Sequence, residues 1–163
     1  MHYTGMLTND ILRRVRYALN LGDQKVREIF SLAGHEVTPE ELTYIFKKDD
    51  EDGFILCSDA LAHRFFEGLV ILRRGKKEGA DGSAIPAAPA RRELSNNDVL
   101  WYLRIAMQLK DDDILAILKK ADVSFGKSEL NALFRKKGTD NFRPCGDQLL
   151  RNFLAGFTAT CRP

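Results

Sequence analysis

Arg16, Cys57 and Asp59 recur 88 positions later as Arg104, Cys145 and Asp147, and packing alone does not require them. An arginine one turn after Leu12, at the edge of an apolar stripe, needs a carboxylate, and Asp59 is an available one. The expected chemistry is a bidentate Arg16–Asp59 pair, duplicated as Arg104–Asp147, acting as an internal clamp in preference to an anion-binding or catalytic group. A nucleophilic cysteine wants a nearby histidine. The histidines are His2, His35 and His63, and the second copy has Val123 and Arg151 opposite the last two. Cys57 and Cys145 therefore read as small packed hydrophobes.

The acidic run from Asp49 to Asp52 before Gly53 invites a calcium loop. With the glycine at position 6, however, the first ligand position falls on Lys48, and the second copy reads Lys137-Gly138-Thr139-Asp140. It reads as a solvated loop. Lys127, Arg135, Lys136 and Lys137 flank the third helix of the second copy, after Lys119 and Lys120, and are the candidates for phosphate contacts. Helices two and three make a poor helix-turn-helix: the stretch 34–38 is long for the turn, and Glu40 and Glu41 would face phosphates. There is no P-loop, dinucleotide fingerprint or H-E-x-x-H motif, so no catalytic, cofactor-binding or metal residue is assigned and no cofactor is expected.

The elements that must position these groups come from a duplication. Residues 9–68 align with 97–156 without a gap, and twenty of the sixty pairs are identical. Each copy reads as four short helices, because apolar residues recur at a 3.6-residue period and β-branched alternation is absent. Helix one is expected from about Asp10 to Leu21, with Asn9 and Asn97 as N-caps, and helix two after Asp23 or Asp111 as caps. Thr38-Pro39-Glu40-Glu41 is a capping-box signature opening helix three, whereas Gly126 and Lys127 require a different cap in the second copy. Helix four starts near Asp59 or Asp147. It keeps a glycine, Gly68 or Gly156, that costs about 1 kcal/mol in a helix and so points to a close helix crossing.

A unit of sixty residues is marginal alone. The expected architecture is all-α: a tandem duplication of a four-helix unit, with the two copies packed about a pseudo-twofold axis. The boundaries are 6–75 for the first repeat, 76–94 for a Gly-, Ala- and Pro-rich linker, and 95–160 for the second repeat. The 163 residues carry a net charge of +2, which divides as −2, +1 and +3 among residues 1–75, 76–94 and 95–163. With 44% apolar and 29% charged residues the chain can bury a core. No apolar run is long enough for a membrane span or a signal peptide, and three cysteines without C-x-x-C spacing suit a cytoplasmic setting.

The motifs L-T-N-D-I-L-R-R-V-R-Y (7–17), D-E-D-G-F-x-x-C-x-D (50–59), D-D-I-L-A-I-L (112–118) and N-F-R-P-C-G-D-Q-L-L-R-N-F-L-x-G (141–156) resemble the YehS-like family of bacterial proteins from Met6 to Thr160. The resemblance implies a duplicated intracellular bacterial domain of unknown function, and carries over no functional residue. The residues themselves favour a non-enzymatic interaction module that binds a protein partner or a second copy of itself. Nucleic-acid binding through the basic second repeat is the alternative, and a small-molecule site or enzyme between the repeats comes third. The candidate binding residues are Arg16, Arg104, Asp59, Asp147, Lys127, Arg135, Lys136 and Lys137.

Overall fold

In a computed structural model, residues 6–75 and 93–163 are described, and most of the expected linker lies outside them. Eight helices form among the described residues, with no strand: α1 (Thr8–Ala18), α2 (Asp23–Leu32), α3 (Pro39–Ile45), α4 (Asp59–Arg74), α5 (Asn96–Met107), α6 (Asp111–Lys120), α7 (Lys127–Leu133) and α8 (Asp147–Cys161). The chain is all-α and duplicated, four helices to a copy.

The 3.6-residue stripes are the buried faces. Ile11, Leu12, Val15 and Ala18 of α1 are buried, as are Val99, Leu100, Leu103 and Ala106 of α5. α3 has its capping box: Thr38 Oγ1 accepts from Glu41 N at 3.1 Å, and Glu41 Oε1 accepts from Thr38 N at 3.0 Å. α7 keeps half of it, since Glu129 Oε1 still accepts from Gly126 N at 3.0 Å although glycine has no side chain to return the bond.

Asn9 and Asn97 are not N-caps. α1 begins at Thr8 and α5 at Asn96, so each asparagine lies inside the first turn, and Asn9 is fully buried. Asn9 Nδ2 donates to the carbonyls of Ile45 and Ile55 at 2.9 and 3.0 Å, while Cys57 N donates to its Oδ1 at 2.8 Å. Asn97 does the same with Leu133 O, Arg143 O and Cys145 N at 2.9, 2.9 and 2.8 Å. One amide thus satisfies three backbone groups that no helix or sheet ladder reaches, and stitches the first helix to the end of the third and to the loop before the fourth. Asp23 and Asp111 are likewise the first helical residues, behind Gly22 and Lys110 as caps.

The long fourth helix of each copy bridges both copies. α4 packs on α2 of its own copy and on α5 of the other, while α8 packs on α6 and on α1, which generates the pseudo-twofold arrangement. The kept glycines permit the first of these crossings. A Cβ on Gly68 would lie 1.8 Å from Ile29 O, and one on Gly156 1.9 Å from Ile117 O. Across the α4–α5 junction the Phe66 and Tyr102 rings stack with centroids 5.3 Å apart and planes 11° apart.

Candidate functional site

The recurring arginines form a clamp, but not with the expected partners. Arg16 pairs with Asp23, its Nε donates to Leu21 O at 2.9 Å, and its guanidinium lies 4.7 Å from the Phe46 ring centroid. Arg104 repeats this with Asp111 at 2.7 Å and Phe134 at 4.7 Å. The reason is reach: only residues 19–22 separate α1 from α2, so the carboxylate opening α2 is the one available. Asp59 and Asp147 are taken up elsewhere. Asp59 Oδ2 accepts from Leu94 N at 2.8 Å and Asp147 Oδ1 from Asn96 Nδ2 at 2.8 Å, both on the approach to α5.

Cys57 and Cys145 are buried, and burial pushes both thiols up to about 12. Such thiols stay protonated and are poor nucleophiles at neutral pH. Among the described residues no cluster of His, Cys, Asp and Glu could hold a metal ion, and no helix is long and apolar enough to cross a membrane.

Three of the predicted basic residues do converge. Arg135, Lys136 and Lys137, just past the end of α7, line a cleft of about 620 Å3 together with Trp101, Tyr102 and Phe142. Among the described residues no carboxylate is within ion-pair distance of any of the three. Lys127 is not part of this group; it faces Asp112 at 3.5 Å in the open. Glu93 and Asp98 also border the cleft, and Asp98 Oδ2 accepts from Ser95 N at 3.0 Å in the cap of α5.

The aromatic wall is held from behind. Trp101 meets Tyr102 edge-on at 5.5 Å, and the Tyr102 hydroxyl lies 2.8 Å from His63 Nδ1. His63 Nε2 faces Glu93 O at 3.4 Å. A carbonyl only accepts, so the Nε2–H tautomer fits, leaving Nδ1 to accept the tyrosine proton. The fourth helix of the first repeat therefore positions a wall of the cleft in the second. Identities between the copies gave no warning of Trp101, His63 or Tyr102. The signal lay in the differences: Arg13, Arg151 and Arg14 occupy the matching positions of the other copy.

The first repeat shows what its own cations do. Lys47, which matches Arg135, donates from Nζ to Asp52 O at 2.7 Å and closes the acidic loop. Arg13, which matches Trp101, is paired to Asp10 at 2.9 Å, and Asp49 stands where Lys137 does. Arg135 makes no such bond among the described residues, although Asp140 stands where Asp52 does.

A profile of the family described as "Protein of unknown function (DUF1456)" matches residues 8–75 and again 96–162. The chain is also 44% identical over 154 residues to "Uncharacterized protein YehS" of Escherichia coli (strain K12), covering 94% of this chain and 96% of that protein. No solved structure matches the chain significantly.

Proposed function

Starting from the fact that the chain belongs to this DUF1456 family, we propose that it is a non-enzymatic helical module that binds nucleic acid through the cleft of its second repeat. The carrying observation is one cleft that brings three cations, with no carboxylate partner among the described residues, beside the half-buried rings of Trp101 and Phe142. Such cations displace the counterions condensed on phosphates, and bases stack on such rings. The third helix is only seven residues long and opens with a single lysine, so the groove-reading geometry of a helix-turn-helix does not supply the contact. Arg16, Arg104, Asp59 and Asp147 keep the frame in shape and make no contact with the ligand. A cytoplasmic, bacterial setting suits this reading, since it supplies single-stranded RNA and keeps the three thiols reduced.

The test is fluorescence anisotropy with single-stranded DNA, single-stranded RNA and duplex DNA at about 50 and 200 mM salt. The reading predicts micromolar binding to single strands that weakens with salt. Absence of binding to every pool at the lower salt refutes it.

A protein partner, or a second copy of this chain, is the second reading, and a different surface favours it. Ile55 and Leu56 are 52% and 47% exposed, side by side in the loop before α4, where the second repeat has Arg143 and Pro144. Replacing both with serine should abolish any concentration-dependent self-association in sedimentation velocity and leave nucleic-acid binding intact.

A further inference from the structure

Resting on the nucleic-acid reading above, we propose that the cleft holds one unpaired nucleobase, guanine by preference, with its 5′-phosphate on the Arg135–Lys137 rim. The volume of about 620 Å3 is that of a small-ligand site and not of a duplex-docking face. Trp101 and Phe142 offer ring surface for stacking, but every base has a π face, so stacking does not choose among bases.

The carboxylates make the choice. Glu93 and Asp98 border the same cleft as the three cations. Against an acidic peptide they are repulsive; against the edge of a base they are acceptors. Asp98 is engaged in the cap of α5, whereas no donor among the described residues reaches the Glu93 carboxylate. The backbone at Glu93 is nonetheless pinned, by His63 Nε2 on its carbonyl and by the Leu94 N–H on Asp59. Guanine presents N1–H and N2–H side by side, a match for the two oxygens of one carboxylate. Uracil offers one N–H between two carbonyls, and adenine and cytosine set their amino group beside a ring lone pair that a carboxylate repels. Glu93 is therefore the specificity residue and Trp101 the stacking platform. The same chemistry is carried by a free guanine nucleotide and by an unpaired guanine within a strand.

The chain's single tryptophan lies in the cleft, so its emission reports occupancy directly. The experiment titrates the full chain with 5′-GMP, 5′-AMP, 5′-CMP and 5′-UMP, with the RNA heptamers UUUGUUU and UUUUUUU, and with tripolyphosphate and a poly-glutamate peptide as competitors. Saturable quenching by GMP or by the G-containing heptamer, about tenfold tighter than by the other bases, supports the proposal, as does loss of that preference in Glu93→Gln with the circular dichroism unchanged. Quenching by GMP but not by the heptamer assigns a free nucleotide; the reverse assigns a strand. Equal affinity for all four bases overturns the guanine assignment while leaving the nucleic-acid reading standing. Displacement by poly-glutamate at matched concentration overturns the base-binding site; displacement by tripolyphosphate, which takes the same Arg135–Lys137 rim, is expected, and its failure overturns the placement of the phosphate there. Heptamer binding seen by anisotropy without any change at Trp101 places the strand elsewhere and also overturns it. Absence of binding by either method sinks the nucleic-acid reading itself.

Discussion

His63 on α4 and Tyr102 on α5 are joined by a 2.8 Å hydrogen bond inside the seam between the two repeats, and the Tyr102 ring meets Trp101 edge-on. Tyr102 is also stacked on Phe66, so one residue of the second repeat is fixed by two from the first. The cleft is therefore a property of the assembled pair of repeats. Tyr102→Phe, which keeps the stack and leaves His63 Nδ1 without its partner, should lower stability by about 1–2 kcal/mol, measured by urea denaturation. It should also shift the emission of Trp101. An unchanged midpoint with an unchanged spectrum would show that the seam does not hold the wall.

Asn9 is buried and serves three backbone groups at once. Asn9→Ala should cost about 3 kcal/mol, because two carbonyls and one N–H lose their partner where water does not replace it. Asn9→Asp should be at least as harmful at neutral pH, since a carboxylate would face the carbonyl oxygens of Ile45 and Ile55. A loss below about 0.5 kcal/mol in chemical denaturation for both variants would contradict the stitching role.

Gly156 packs against the backbone of Ile117 so closely that a methyl group meets a carbonyl oxygen at 1.9 Å. Gly156→Ala must push α8 off α6, and overpacking of this kind costs about 3 kcal/mol, or roughly 10 °C in thermal midpoint. Gly146→Ala is the control, as no atom lies within 4 Å of its added methyl. Equal midpoints for the two variants would rule out the close crossing.

The thiols give a pH prediction. Burial holds Cys57 and Cys145 at about 12 in the folded chain, against an ordinary value of 9.0. A group raised on folding binds its proton more tightly in the native state, so its contribution is fully present below pH 9 and is lost as the pH climbs from 9 towards 12. Stability should accordingly fall over that window, and less so in Cys57→Ala with Cys145→Ala once their lost packing is subtracted. At pH 8 an alkylating reagent should modify the half-buried Cys161 first, with the other two reacting only on unfolding. Rapid modification of all three in the native protein would contradict the burial.

Much of the frame was legible in the sequence. The offset of 88 and the apolar period of each copy give the eight helices, and the glycine kept in both fourth helices gives the close crossing, because these are local or repeated signals. The polar partners were harder. An asparagine before an apolar stripe reads as a cap, whereas the partners of Asn9 are 36 to 48 positions away and no local pattern encodes them. The stripe that carries Arg16 calls for a carboxylate without saying which, and Asp23 is as repeated as Asp59 and much nearer along the chain. Arg135, Lys136 and Lys137 were visible as a charge cluster, but the aromatic wall opposite them was not. It stands where the copies differ, at Trp101 against Arg13, and a comparison that rewards identity passes over such positions.

The most direct test of the cleft as the binding site is the affinity of the Lys136→Glu, Lys137→Glu double variant for a single-stranded RNA at about 50 mM salt, beside a Lys25→Glu, Arg27→Glu control on the first repeat. The account predicts a loss of tenfold or more and a shallower salt dependence for the first variant, with the control near wild type. Equal affinities for both variants and the parent chain would contradict it.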